Sequence, residues 1–294
     1  MPLGIDPTVD YVFKRLFADP ANKDLLIHLL NAVLQTSPPI VDVVILNPFN
    51  EKEYADDKLS VLDIKARSVG EAWFNIEIQN RVYTSLRPRL AYYGARLYVE
   101  QLSEGDDYSA LLPAITICFL KEALFRELAA PHLRFALRDC EHGLELTNRL
   151  QVHIVELAKY NSEGSSPESS GGLAQWAFFL NHAAQLKAED LKRLLPQREF
   201  VKATGVVEMI AQTPEQRMQY EARRKAELDY QACLADERRE GQAEGRTEVI
   251  AEMVQTFQEL LQEPISPRAQ LMALTNDALT ELRDALKMRL KNRG

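Results

Sequence analysis

The sequence predicts an α/β domain followed by an all-helical appendage, and three observations carry that expectation. The run Lys58–Asn80, KLSVLDIKARSVGEAWFNIEIQN, reads as two short strands joined by a turn. Further strand-like runs alternate with amphipathic helical patterns up to about residue 160. Beyond the Ser/Gly-rich stretch Asn161–Gly172 the periodicity is helical throughout. We therefore expect a domain over residues 1–200, with a flexible loop at about 161–172, and a helical region over 201–294.

Taken in order, Val9, Val12, Phe13, Leu16 and Phe17 fall at helical spacing, with Thr8 or Asp6 as the expected cap. Residues 21–34 form a second helix, with Leu25, Leu26, Leu29, Leu30, Val33 and Leu34 on its buried side. Residues 40–46 read as a strand, and Asn47–Asn50 as a loop. In the following hairpin, Val61, Leu62 and Ile64 supply the first strand, Phe74, Ile76 and Ile78 the second, and Arg67–Glu71 the turn. Period-2 alternation puts Phe74, Ile76 and Ile78 on one face, and Asn75, Glu77 and Gln79 on the other. Asp63 and Lys65 point together from the first strand. With the turn centred near Gly70, Asp63 lies opposite or diagonal to Glu77, at roughly 5–8 Å. Two carboxylates and an amide then converge on one face whose reverse side is apolar.

After the hairpin, Ser85 is the expected cap of a helix running through Gln101, with Pro88 in its first turn and Gly105 as its stop. Residues 113–120, PAITICFL, lack alternation and read as a strand buried on both sides; 132–137 and 150–157 are further strands. Beyond the Ser/Gly-rich stretch, 173–186, 189–195 and 201–210 are helical. From Pro214 to about Glu263 runs a charged helix, interrupted at Gly241 and Gly245, with Ala222, Ala226, Tyr230 and Leu234 as a thin apolar seam. Its segment Glu221–Glu248 holds eight acids and six bases. Residues 269–290 form one final amphipathic helix.

Composition narrows the functional classes. A chain of 294 residues with 46% hydrophobic content can bury a real core. No apolar run approaches the roughly 18–20 residues of a membrane span, and the first residues lack the layout of a secretory signal, so the expected location is cytoplasmic. Three scattered cysteines suggest neither a disulfide framework nor a zinc site. The five histidines show no metal-ligand spacing, and no phosphate-binding glycine motif occurs, which disfavours a nucleotide cofactor. The net charge of −8 excludes a uniformly basic surface but not a local patch. Between Arg81 and Val99 lie four arginines and four tyrosines with no acid; Arg89, Tyr93 and Arg96 share a helical face with Glu100.

Two uses fit the hairpin face. Polar residues there serve commonly as solvated surface. Paired carboxylates with a third oxygen ligand also suit Mg²⁺ or Mn²⁺, hard ions that keep positions for water and phosphate oxygens. The Arg/Tyr stretch is likewise either a packed face with snorkelling side chains or a nucleic-acid surface.

At these residues the chain resembles the PD-(D/E)XK nuclease superfamily and, more narrowly, the recombination-promoting nuclease (Rpn) or transposase family. The markers are Asp10-Tyr11-Val12-Phe13-Lys14, Leu62-Asp63-Ile64-Lys65 and Asn75-Ile76-Glu77-Ile78-Gln79. Arg89 with Tyr92-Tyr93-Gly94-Ala95-Arg96 follows, then Leu102, Gly105, Tyr108, Leu111 and Pro113, then Glu156-Leu157 and the Glu-Gly pairs at 240–241 and 244–245. The resemblance covers roughly residues 5–200 and implies a restriction-endonuclease-like mixed sheet flanked by helices, with metal-dependent DNA cleavage.

It implies Asp63 and Glu77 as metal ligands, with Asp10 as the helix acid that completes such sites. Gln79 stands where the superfamily usually has lysine; glutamine can orient a water but supplies no charge. Lys65 is the candidate substitute. Arg87, Arg89, Tyr93 and Arg96 are expected at the nucleic acid. The reading is thus a Mg²⁺- or Mn²⁺-dependent DNA endonuclease linked to recombination or transposition, assembling as a homo-oligomer through its C-terminal helices. The alternative is a non-catalytic DNA-binding or assembly protein that keeps the fold.

Overall fold

A computed structural model describes residues 1–47, 49, 64–68, 72–160 and 171–292. The elements are α1 (Asp10–Phe17), α2 (Lys23–Leu34), β1 (Val43–Ile45), β2 (Ile64–Ser68), β3 (Trp73–Gln79) and α3 (Leu86–Val99). Then come β4 (Ala114–Leu120), β5 (His132–Arg138), β6 (Glu145–Glu156), α4 (Gly172–His182), α5 (Ala188–Leu194) and α6 (Arg198–Gln212). Helices α7 (Pro214–Leu260), α8 (Arg268–Met272) and α9 (Asn276–Lys291) complete the chain.

Among the described residues six strands form one sheet in the order β1-β2-β3-β4-β6-β5. Strands β3, β4 and β6 are mutually parallel, while β1–β2, β2–β3 and β5–β6 pair antiparallel, so the sheet is mixed. Parallel neighbours need a crossover, and α3 provides it between β3 and β4. Every residue of β4 is buried, as its lack of alternation predicts for a central strand covered on both faces.

The two faces differ in character. Phe74, Ile76 and Ile78 join Ile115, Ile117 and Phe119 in a large core with side chains of α1, α2, α4, α5 and α6. Phe17, Trp176 and Phe200 pack edge to face or tilted at its centre, with centroids 5.2 and 4.6 Å apart across Trp176. On the other face α3 lies over β3, β4 and β6, where Leu86 and Leu90 pack on Cys118, Leu120 and Ile154. Gly94 permits that approach, since a Cβ there would stand 3.3 Å from Thr116 Oγ1 and 3.4 Å from Leu150 Cδ1.

Several local expectations need correction. Neither Thr8 nor Asp6 caps α1, whose N-cap is Val9; Asp6 Oδ1 instead accepts from the Thr8 amide and hydroxyl at 2.9 and 2.6 Å. Helix α2 begins at Lys23, because Pro20–Asn22 form a separate 3₁₀ turn capped by Asp19. The strand expected over 40–46 is confined to Val43–Ile45. Arg67 and Ser68 belong to β2 rather than to a turn, because they pair with Val44 and Val43 of β1. Residues 48 and 50 of the Asn47–Asn50 loop, the expected strand residues Val61 and Leu62, Asp63, the turn at 69–71 and the loop at 161–170 all lie outside the described residues. Helix α3 starts after Ser85 as expected, but the Ser85 hydroxyl makes no cap bond. The helix ends at Val99, ahead of Gly105 (φ 92°), which serves the later loop.

By compactness the chain divides into Met1–Arg224 and Lys225–Gly294. In the second unit Ile250, Ala251 and Val254 pack on Leu271, Leu279 and Leu286. The single helix expected over 269–290 is two, because Thr275 accepts from the Ala278 amide and starts α9 afresh. Gly241 and Gly245 lie inside α7 and do not interrupt it. Each glycine costs a helix about 1 kcal/mol, which the surrounding Ala, Glu, Gln and Arg residues offset. Among the described residues no helix is long and apolar enough to cross a membrane.

On β5 and β6, His132 Nε2 and His153 Nδ1 stand 3.0 Å apart, and His153 Nε2 is 3.2 Å from Gln151 Oε1. Burial pushes His153 down to about 4, helped by His132 and Arg134; burial and Arg134 also lower His132.

Two measurements follow from this packing. Gly94→Leu is expected to lower the unfolding free energy by about 2 kcal/mol through overpacking, whereas Gly94→Ala stays within ~1 kcal/mol because the helix gains from losing glycine. Equal urea midpoints for the Leu variant and the wild type would mean that α3 is not seated this closely. In the second, an unfolded His153 takes up its proton near pH 6.5 while the folded residue resists until about 4, so stability is full above pH 6.5 and declines as pH falls through that window. The loss between pH 7 and pH 5 should approach about 2 kcal/mol, and urea titrations of His153→Gln should show a flatter pH profile.

Candidate active site

The polar face of β3 is buried. Strand β3 sits inside the sheet, between β2 and β4, with α3 across its polar side. Glu77 is 1% exposed, Asn75 2% and Gln79 8%. The sequence placed these three residues on one face, and the pairing explains why that face is not surface. Lys65 is opposite Asn75, and Asn75 is level with Thr116 of β4; Glu77 is level with Cys118, and Gln79 with Leu120.

A carboxylate in such a place needs partners, since burial of an uncompensated charge costs several kcal/mol. Asn75 Nδ2 donates to Glu77 Oε1 at 3.2 Å. From α3, Arg89 Nη2 approaches Glu77 Oε2 at 3.9 Å, beyond hydrogen-bonding length but close enough for charge pairing. The Arg89 guanidinium also lies 6.0 Å from the ring centre of Tyr93, one turn along the helix.

A second polar group lies toward the C-terminal end of α3. Glu100 accepts from Arg96 Nε at 2.6 Å and from Lys65 Nζ at 3.4 Å. The bond from Arg96 holds the Glu100 carboxyl below its usual range, against partial burial and with help from Lys65. Lys65 and Arg96 are therefore joined through a shared carboxylate, a link that the sequence reading did not make.

The C-terminal end of β3 meets the start of α1. Asn80 Nδ2 donates to the Thr8 carbonyl at 3.3 Å, and Lys121, the residue after β4, reaches Asp6 Oδ2 at 2.7 Å and Thr8 Oγ1 at 3.1 Å. These contacts bring the first turn of α1, which begins with Asp10, to the strand end that carries Gln79. The Asp10 Oδ1 atom accepts from the Tyr11 amide at 2.7 Å.

Of the nine candidate residues, the structure thus pairs Glu77 with Arg89 and Arg89 with Tyr93, and joins Lys65 to Arg96 through Glu100. Arg87 goes elsewhere, its guanidinium stacking over Phe125 at 4.7 Å. Asp63 lies outside the described residues; it is the residue before Ile64, whose register partner Ile76 precedes Glu77. Among the described residues no cluster of three or more His, Cys, Asp or Glu side chains is placed to hold a metal.

Two contributors were not given roles by sequence reasoning. Asn75 was visible through its period-2 spacing from Glu77, but nothing in the sequence indicated a hydrogen bond between neighbours on one strand face. Lys121 could be found only by knowing that β4 runs parallel to β3, which puts the residue after β4 beside the end of β3.

A buried acid on a central strand, with arginines presented by the crossover helix, suits phosphodiester chemistry, in which anionic substrate and developing negative charge must both be balanced. Comparison with curated proteins and with solved structures finds no match in either. A family model described as PD-(D/E)XK nuclease family transposase matches residues 7–237. That match begins ahead of α1, runs through the whole mixed sheet and its helices, and reaches into α7, so the chain belongs to the PD-(D/E)XK nuclease family of transposases.

Proposed function

We propose that the protein is a Mg²⁺- or Mn²⁺-dependent endonuclease that hydrolyses DNA phosphodiester bonds, in recombination or transposition. The observation that carries this reading is the Glu77 carboxylate, buried at 1% exposure on a central strand and oriented by Asn75. Its chemistry fits a hard divalent ion: an oxygen donor, buried, with one oxygen fixed by a side-chain amide, the arrangement that orients metal-ligating carboxylates.

Glu77 and Asp63 would hold the ion, with Asp10 as the further acid from α1. When bound, the ion lowers the pKa of a ligated water and neutralises charge gathering on the phosphodiester. The chain's own residues do the rest. Gln79 orients the attacking water by hydrogen bonding, and Lys65 supplies the positive charge that glutamine lacks. Arg89 and Arg96 hold backbone phosphates, and Tyr93 lines the same helix face. The α7 surface supports self-association: Leu228 and Tyr230 are 55% and 59% exposed in the single chain.

Supercoiled plasmid supplies the decisive assay. Nicking that needs Mg²⁺ or Mn²⁺, stops in EDTA and falls by more than ~100-fold in both Asp63→Ala and Glu77→Ala is the expected result. Retained DNA binding with no cleavage under either metal would instead make this a non-catalytic member of the family. For assembly, sedimentation equilibrium of the whole chain should return a mass above the 33.4 kDa monomer; a monomer at every concentration would remove self-association from the proposal.

A further inference from the structure

The pairing between Arg89 and Glu77 has the geometry of a temporary partnership. Glu77 is fixed: it belongs to a strand, and Asn75 holds one of its oxygens at 3.2 Å. Arg89 is not fixed in the same way. Its side chain is 34% exposed while that of Glu77 is 1% exposed, and the pair stands 3.9 Å apart. An arginine built in as a permanent counter-charge to a buried carboxylate is normally bidentate, with two short bonds. Here Nε and Nη2 of Arg89 are buried and make no hydrogen bond among the described residues. By contrast, Arg96, on the same helix, bonds Glu100 at 2.6 Å.

We propose that Arg89 is a stand-in cation. In the DNA-free protein it neutralises the Glu77 carboxylate, and it leaves for a substrate phosphate when a divalent ion takes up that carboxylate. This rests on the metal reading of Glu77 given above and adds to it an exchange of partners. The physical reason is charge balance at one buried acid. The carboxylate faces a cation in both states, yet a divalent ion on Glu77 and a guanidinium at 3.9 Å would repel each other strongly at low dielectric. The guanidinium can move, because its Nε and Nη2 are held by no hydrogen bond among the described residues and the side chain as a whole is 34% exposed. A phosphate then offers it the two-pronged partner that Glu77 does not. Metal loading and DNA engagement are thereby coupled through a single side chain, which makes Arg89 a positioning residue as well as a phosphate contact.

Calorimetric titration of Mn²⁺ into the DNA-free full chain tests this. The stand-in role predicts that Arg89→Gln binds Mn²⁺ about tenfold more tightly than wild type, because the competing cation is gone. Arg89→Lys, which keeps the charge, should stay near wild type. Arg138→Gln, which removes the same net charge from β5, should leave Mn²⁺ affinity unchanged. The same Arg89→Gln protein should bind a DNA duplex more weakly in Ca²⁺, with a salt dependence shallower by about one phosphate contact.

Unchanged or weaker Mn²⁺ binding by Arg89→Gln overturns the proposal while leaving the nuclease reading intact, provided wild type binds the ion and cleaves. An absence of Mn²⁺ binding in every protein overturns both. Should Arg89→Gln fail to fold by circular dichroism, the wild-type protein still decides. Mg²⁺ should move the Arg89 Nε NMR signal, identified by its loss in Arg89→Lys, toward that of a solvated guanidinium. A signal that does not respond to Mg²⁺ overturns the stand-in role.

Discussion

The burial of one carboxylate on an interior strand constrains much of what surrounds it. Glu77 cannot reach water, so its charge must be balanced by neighbours, among them Asn75 on the same strand and Arg89 on α3. Helix α3 must therefore lie close to the sheet and present a cation at the level of Glu77. Closeness is supplied by Gly94 over Thr116 and Leu150, and the cation by Arg89. The helix is the crossover between two parallel strands, so the topology itself delivers Arg89 to the face of the strand just left.

A second buried acid shows how such a charge looks when it is fully engaged. Glu156, at the end of β6, is 0% exposed; its Oε1 accepts from the Leu124 and Phe125 amides at 2.5 and 2.8 Å, and Lys159 pairs with Oε2. Lys159 also donates to the Phe125 carbonyl at 2.8 Å. This pins the segment after β4, the one whose Phe125 receives Arg87 and whose Lys121 binds the start of α1. Glu156 accepts two backbone amides on one oxygen, pairs with Lys159 on the other, and anchors a loop. At Glu77 the Asn75 amide donates to one oxygen at 3.2 Å, while the Arg89 guanidinium faces the other at 3.9 Å, beyond hydrogen-bonding length.

What could be read beforehand follows from what periodicity encodes. Alternation fixed the faces of β3 without knowledge of its neighbours, because side chains of a strand alternate whatever lies beside it. The buried run at 114–120 was legible because a strand covered on both sides loses the alternation of apolar and polar residues. The helix through Arg89 and Arg96 was legible from its spacing. What the sequence could not supply was pairing. That Arg67 and Ser68 continue β2 depends on β1 lying alongside them, a contact with residues more than twenty positions away. The burial of Glu77 and Asn75 depends on α3 crossing over them. The caps went astray for a related reason: Asp6 and Thr8 bond each other and Lys121, a partner available only once β4 is in place.

The register and the helix carry the same division. Across the sheet beneath α3, one row reads Lys65, Asn75, Thr116, Val152, and the next reads Glu77, Cys118, Ile154, so polarity falls from β2 toward β6. Helix α3 matches it with two stripes set about one residue apart. Leu86, Leu90, Gly94 and Leu97 form the buried stripe, while Arg89, Tyr93, Arg96 and Glu100 form the polar one. Apolar stripe meets apolar strands, which holds the helix in place by burial, and polar stripe meets polar strands, which places its cations. The boundary between the two runs beside Glu77. A helix rotated by one residue would set leucines over the carboxylate and arginines over Ile154, and both errors would be costly. The hydrophobic half of the contact thus fixes the rotation of α3, and that rotation brings Arg89 to within charge-pairing distance of Glu77.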